Sequence, residues 1–556
     1  MKRSIKGNNI YKIVIAVLAL LLIAFILSIA PNYKKDNLEG KVRLVINNND
    51  VTKNLKKDVI IKNDAVYISK LDVENYFDGE VYYDSKYNQI ITTSDTKVAS
   101  LPIESKSIEI NGSTVSIYAG VIKVDDEYYL PFSEISKSVY NMETSYIEKS
   151  NTVVTISLDR ELVYANSSKK NKVKYKPTAF SKTVDKIERG DSLTIVKVKN
   201  KDDEWTKVLT ERGRIGYVKT KTLANEQKMR DNLEIEKQID GNVSIVWDYF
   251  YSSAPERTGK IEGVNVVSPT FITLKKLGQG DIETKIGTSG ENYINWAHNN
   301  GYKVWALVSN DSMKDTTSEI VNDYILRQKF INNIVSATVQ YNLDGINLDF
   351  ENIYKKDKDA YSRLVIELAP RLRDLGKVLS VDVTEPDGSD DWSLCFDRNI
   401  IAKASDYIVF MAYDQNGISS EEPGTVAGYD WVERNVKKFI EQEEVDSNKI
   451  VLGMPFYSRI WRITGASFNS DVVYMNETYN KIPTNATITW LENEKQNYAE
   501  YIADNSTYKI WIEDTKSINE KLNLVSKYNL AGTACWRKDM EDENVWGIIS
   551  EKLGIK

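Results

Sequence analysis

From Val243 to the C-terminus one pattern recurs: a short apolar run, an amphipathic stretch with helical spacing, then another apolar run. The runs are VSIVWDY (243–249), GVNVVSPTF (263–271), YKVWALVSN (302–310), LDGINLDFE (343–351), VLSVDVTE (378–385), DYIVFMAYD (406–414), KIVLGMPFY (449–457) and GTACWRKD (532–539). Strands alternating with helices predict a parallel α/β sheet, and eight such units within 241–556 suit a closed (β/α)8 barrel, the TIM-barrel form. A barrel of this kind places its chemistry at the C-terminal ends of the strands. The gap between the seventh and eighth runs is the longest. Residues 459–508 within it carry strand and turn signals of their own, predicting an α+β insertion that walls one side of a cleft.

Upstream the pattern changes. Between 42 and 158, apolar and polar positions alternate between turn signals (NNND, DSKYN, INGS, VDDE), which predicts a small α+β module of many short strands. It holds a weak internal repeat: VYISKL from Val66, Tyr82-Tyr83-Asp84 and NQIITT from Asn88 are echoed by YLPFSEI from Tyr129, Tyr146 and NTVVTI from Asn151. Residues 170–223 predict a second, all-β unit with Gly190, Gly213 and Gly216 at its turns. The charged stretch 224–240 predicts a linker or connecting helix.

Residues 13–30 are apolar except for Ser28, at the lower end of the ~17–25 residues that span a bilayer. Lys2, Arg3, Lys6 and Lys12 precede them and only Lys34 and Lys35 follow closely, so the charge bias places residues 1–12 in the cytoplasm and the bulk of the chain outside. The expected location is thus the cell membrane, single-pass. Ser28 and Ala30 also suit signal cleavage, which would give a secreted chain instead.

Composition narrows the chemistry. A single histidine, His298, and two cysteines, Cys395 and Cys535, rule out most His-based triads, His-rich metal sites and Cys-rich zinc modules. Acid–base work must fall to carboxylates, with no metal and no cofactor. Without disulfide-rich spacing, the two cysteines read as separate buried thiols. The net charge of −7 argues against a nucleic-acid partner, while 33 Tyr and 11 Trp suit surfaces that hold sugars.

The fourth run carries the clearest chemical signal. Strand alternation puts Asn347, Asp349 and Glu351 on one face and Ile346, Leu348 and Phe350 on the other. The apolar face meets the outer helices, so the polar face looks into the barrel. Burying unpaired charge there is costly, and a strand serving stability alone would carry Val or Ile at those positions.

Asp344-Gly345-Ile346-Asn347-Leu348-Asp349-Phe350-Glu351, with Met411-Ala412-Tyr413-Asp414 on the sixth run and Trp536 on the eighth, resembles glycoside hydrolase family 18. That family's signature is Asp-Gly-x-Asp-x-Asp-x-Glu; here Asn347 stands in place of the first inner Asp. The VSPTF, VWALVSN and LGMPFYSRIW segments look like the bacterial spore-cortex and cell-wall N-acetylglucosaminidase branch. The resemblance implies a glycosidase acting on peptidoglycan or another N-acetylglucosamine-containing glycan by substrate-assisted retaining catalysis. In that mechanism Glu351 is general acid and then base. Asp349 orients the acetamide, and its charge together with burial raises the Glu351 pKa. Tyr413 donates to the acetamide oxygen. Asp414 and Trp536 hold the sugar, Asn347 and Met411 belong to the substrate-binding set, and Trp247 and Tyr457 are candidate cleft residues because they sit at strand ends. A chitinase-like enzyme on another polymer is the alternative within this chemistry, and a catalytically weak wall-binding protein the alternative outside it.

Two weaker resemblances concern the upstream modules. Residues 42–158 are similar to the N-terminal domain of copper amine oxidases, but with neither His nor Cys there no metal is implied. In 170–223, Trp205-Thr206-Lys207-Val208 and Gly213-Arg214-Ile215-Gly216-Tyr217-Val218 resemble a bacterial SH3-type domain, with Glu204 replacing the usual glycine.

Overall fold

The computed structural model describes residues 40–196, 204–230 and 238–556. The chain forms two compact units, divided in sequence near residue 235. The predicted membrane span at 13–30 lies outside the described residues, among which no helix is long and apolar enough to cross a membrane.

In the second unit all eight apolar runs become strands: β1 (Val243–Asp248), β2 (Val266–Pro269), β3 (Lys303–Ser309), β4 (Gly345–Asp349), β5 (Val378–Val383), β6 (Tyr407–Met411), β7 (Ile450–Pro455) and β8 (Gly532–Trp536). Their order is β2-β1-β8-β7-β6-β5-β4-β3, and parallel pairing of β2 with β3 closes the barrel. The alternation seen in sequence is what divides inside from outside. Ile346, Leu348, Leu379, Val381, Ile408 and Phe410 pack outward in the layer shared with the helices, while Val243, Ile245, Val266, Trp305, Val378, Val409 and Val451 fill the interior. Each such side chain contributes about 1.5–3 kcal/mol on burial, which offsets the cost of the polar groups above them.

Gly345 opens β4 for want of space. A Cβ there would lie 2.7 Å from the Val378 carbonyl oxygen and 2.8 Å from Trp305 Cδ1. Trp305 therefore plugs the lower barrel only because residue 345 has no side chain.

β7 leads straight into the insertion, a five-stranded antiparallel sheet in the order Ser467–Tyr474, Tyr457–Thr464, Ser506–Ile512, Gln496–Ala503, Thr487–Leu491. Its return to the barrel is pinned by a buried ion pair: Lys521, on the helix Thr515–Tyr528, donates to both oxygens of Glu513 at 2.9 and 3.0 Å, and both residues are completely buried. Gln496 and Ser517 also donate to Glu513, and Thr425, in the loop after β6, donates to Gln496.

The first unit is built from sheets of short strands. Three sheets of four, four and five strands and two short helices occupy residues 43–157, around a core that includes Leu44, Ile68, Ile90, Leu101, Leu130 and Phe132. A seven-stranded antiparallel sheet follows, from Leu162 to Arg230. It begins earlier and ends later than the all-β unit predicted for 170–223. The expected linker or helix at 224–240 is in part strand: Leu223–Arg230 pairs antiparallel with Leu162–Ser167. Backbone pairing to an open edge overrides the helix preference of its charged side chains. Residues 231–237 lie outside the described residues.

Cys395 and Cys535 are buried free thiols. His298 bonds Asp344 at 2.8 Å, at the N-terminal end of β4 and away from the cleft.

Candidate active site

Asn347 is completely buried beneath the cleft, and its amide is fully used. Oδ1 accepts from Trp247 Nε1 (2.7 Å) and Ser268 Oγ (3.1 Å), while Nδ2 donates to Ser380 Oγ (3.1 Å) and Asp382 Oδ1 (2.6 Å). The expectation that Asn347 contacts substrate is therefore corrected: it fixes the Trp247 ring and the Asp382 carboxylate from below. The amide accepts at one atom and donates at the other without needing a proton from solution; an ionised aspartate could not donate to Asp382.

The cleft above is lined by Trp247, Asp349, Glu351, Met411, Tyr413, Asp414, Tyr457 and Trp536, so every other residue predicted from sequence gathers here. Asp382, Thr384 and Trp392 join them. Two of these were legible: in VLSVDVTE, Ser380, Asp382 and Thr384 share the inward parity that marks Asn347, Asp349 and Glu351 in β4. Trp392 carries no periodic signal. Its loop is held by the Thr384 hydroxyl, which donates to the Trp392 carbonyl at 2.6 Å, and by buried Arg398, which donates to the carbonyls of Thr384, Glu385 and Ser393.

Glu351 stands just past the end of β4, and its backbone is clamped by one side chain. Asn310 Oδ1 accepts from the Glu351 N–H at 3.1 Å, and Asn310 Nδ2 donates to the Glu351 carbonyl at 2.9 Å. Burial, with the charge of Asp414 adding to it, pushes the Glu351 carboxyl up to about 7. Asp349 and Glu351 act on each other, because repulsion between two carboxylates is reciprocal. Asp349 has an oxygen sealed from solvent without a partner, and burial first, then the charges of Glu351 and Asp382, hold its carboxyl well above the usual range. Asp382 is also raised, chiefly by burial, with its bond from Asn347 opposing the shift. Carboxyls crowded into one apolar-walled space share protons as a set, because ionising all of them together is too costly.

The Tyr413 phenol is raised well above its ordinary value, first by burial and then by Asp382, so it stays an O–H donor. Tyr457 Oη donates to Asp414 Oδ1 at 2.7 Å, which makes Tyr457 the group that orients Asp414. Trp247 meets Trp536 at 5.8 Å and Tyr413 at 6.4 Å between ring centres, both edge to face, which sets an aromatic wall against the carboxyls. Raised acids, a permanent donor and aromatic faces in one cleft can protonate a leaving oxygen beside a sugar ring.

Residues 245–541, more than half of the chain, match Glycosyl hydrolases family 18. The chain belongs to this family.

Residues 45–155 match the copper amine oxidase N-terminal domain. Among relatives of this family 18 hydrolase, the uncharacterized glycosylase YvbX of Bacillus subtilis is 25% identical over 309 residues, covering 51% of this chain and 84% of that protein. The cortical fragment-lytic enzyme of Bacillus subtilis is 25% identical over 256 residues, 45% of this chain and 59% of its own length, so the chain spans little more than half of that relative. A chitinase structure from Chromobacterium violaceum superposes with a TM-score of 0.50 at 22% identity, covering 57% of this chain and all of that one, a likeness of fold.

The floor of the family 18 site yields a stability prediction. In Asn347→Asp a carboxyl replaces the amide that donates to Asp382, and the new pair must hold a proton between them. The new carboxyl's folded pKa then exceeds its unfolded value, so the native state binds more protons and stability falls as pH rises from about 4 toward the folded pKa. The variant should lose about 1–3 kcal/mol against wild type near neutral pH. The gap should narrow in acid. Chemical denaturation of both proteins across that range checks it, and a gap independent of pH would contradict the shared proton.

Proposed function

We propose that this family 18 hydrolase cleaves the β-1,4 bond after N-acetylglucosamine in peptidoglycan, with retention, the substrate's own acetamide serving as nucleophile. The observation that carries this reading is Glu351: a carboxyl poised near pH 7, held by Asn310 at the end of β4, beside Asp349 and the Tyr413 donor. Protonated Glu351 gives its proton to the glycosidic oxygen as the acetamide carbonyl attacks the anomeric carbon. The resulting Glu351 carboxylate then takes a proton from the water that opens the oxazolinium ion. Positive charge growing on the ring favours the ionised form of Asp349, the proton of the shared set staying on the neighbouring Asp382, so Asp349 can accept from the acetamide N–H. Tyr413 donates to the acetamide oxygen, and Trp536 offers a face to the sugar.

Peptidoglycan as substrate is supported by the similarity to a cortical fragment-lytic enzyme. Residues 13–30 would anchor the chain in the membrane with the barrel outside, and the module at 42–158 would act as a spacer or wall contact. Incubation of the full-length protein with purified peptidoglycan and with chitin oligomers, followed by mass spectrometry, tests the reading. Muropeptides ending in reducing N-acetylglucosamine are expected. Fragments ending in reducing muramic acid, or cleavage of chitin alone, would overturn it.

The Glu351 value also fixes a pH limb. Glu351 must carry its proton when substrate arrives, and that fraction falls as pH rises through about 7, so kcat/KM should decline above it. Asp414→Asn removes a charge that raises the Glu351 pKa and should move this limb to lower pH. A limb that stays in place would remove Asp414 from the electrostatics of the acid.

A further inference from the structure

The seven-stranded sheet of the first unit carries a groove of a different kind. Seven of its eleven lining residues are lysines, and none is a carboxylate or an arginine. The charge is already segregated in sequence: residues 161–230 hold 18 Lys and Arg against 9 Asp and Glu, within a chain of net charge −7. Lys170 and Lys219 are answered by exposed carboxylates, Glu188 at 2.7 Å and Glu204 at 3.1 Å. The ammonium groups of Lys172, Lys186 and Lys221 have no hydrogen bond or ion pair among the described residues, and all three side chains are exposed.

Two features argue that this clustering serves a ligand. Lys172 and Lys186 stand directly opposite each other on antiparallel strands, an arrangement of like charges that costs stability. A pair of bonds also draws two lysine segments together: Asn171 Nδ2 donates to Thr222 Oγ1 at 3.0 Å, and the Ser168 N–H donates to the Thr222 carbonyl at 2.8 Å. These bonds hold the 169–172 run against the 219–221 turn.

We propose that this groove binds a linear wall polymer whose repeating charge is a phosphodiester, and so docks the chain independently of the barrel. Lysines act as separate point charges, which suits phosphates recurring along a strand, whereas bidentate capture of single carboxylates calls for arginine. A groove follows a chain better than it follows a flat bilayer. Nucleic acid is disfavoured because the groove offers a single aromatic among its lining residues, Trp205, and the Lys219 ammonium already stands over that ring at 5.6 Å, where a base would have to compete with it.

The test uses the full-length protein in detergent and fluorescently labelled poly(glycerol phosphate), with binding followed by anisotropy. Affinity should fall at least about tenfold between ~50 and ~200 mM salt, as counterion release at several lysines requires. Lys172→Glu with Lys186→Glu should weaken binding at least tenfold. Lys62→Glu with Lys137→Glu, exposed lysines elsewhere in the same unit, makes the same change in net charge and should alter it less than twofold. Hydrolysis of a soluble oligosaccharide should be unchanged in both, which separates this site from the barrel's chemistry. Lys186→Glu alone converts the like pair to an opposite one and should weaken binding without lowering the melting temperature. The proposal fails if the control pair weakens binding equally, if binding is absent or insensitive to salt, or if single-stranded DNA of equal phosphate count or phosphatidylglycerol vesicles bind more tightly.

Discussion

Glu351→Gln should lower kcat at least about a thousandfold while leaving substrate affinity within a few-fold of wild type. The amide keeps the shape of the side chain but has no proton to give and cannot take one from water. Acid–base groups contribute about 10²–10⁴-fold each, and this residue serves both steps. The variant should fold normally, because the Asn310 clamp grips the backbone of residue 351 and does not involve its side chain. Single-turnover hydrolysis alongside calorimetric binding of an oligosaccharide separates the two effects. A rate above about a tenth of wild type would remove Glu351 from the acid role.

Peptidoglycan stripped of its N-acetyl groups should resist this enzyme by at least about a thousandfold in rate, since an intramolecular nucleophile held in place carries an effective concentration of order 10⁵ M or more. A free 2-amino group cannot form the cyclic intermediate however well the sugar binds. Chemical re-acetylation should restore cleavage, which excludes damage to the polymer. Comparable rates on the two substrates would falsify substrate assistance and return the search for a nucleophile to the protein. Asp382 and Asp414 line the cleft and would be examined first. Glu385 is not among the lining residues; its carboxyl bonds Ser393 within its own loop.

What the sequence revealed depended on whether a signal was periodic. Eight apolar runs recur between helical stretches, and each became a barrel strand, because alternation is imposed by the same inside–outside division that forms the barrel. Glu351 and Asp349 could be found because polar residues at strand ends break an apolar rule, whereas Tyr413 was found only through the segment Met411–Asp414 that resembles family 18. Asn347 broke the rule too, but its role could not be seen: whether an inward amide faces ligand or floor depends on Trp247, Ser268, Ser380 and Asp382, which come from three other strands. Asp382 was legible by parity, since it shares the inward face of β5 with Ser380. Trp392 was not legible, since its place is set by the Thr384 and Arg398 bonds of an irregular loop. The strand Leu223–Arg230 was hidden for a related reason: its charged residues favour helix, and only the open edge at Leu162–Ser167 makes it extended.

The Glu513–Lys521 pair bears on how this enzyme could be taken apart or recombined. An ion pair sealed from water costs about 3–5 kcal/mol when one partner is lost, because the survivor remains buried and uncompensated. Here one member closes the insertion, the other sits on a barrel helix, and Gln496 and Thr425 extend the link to the loop after β6. The insertion is therefore not a cassette. Exchange with a relative would have to carry Thr425, Gln496, Glu513 and Lys521 as one heritable block, and insertion and barrel should melt in a single transition.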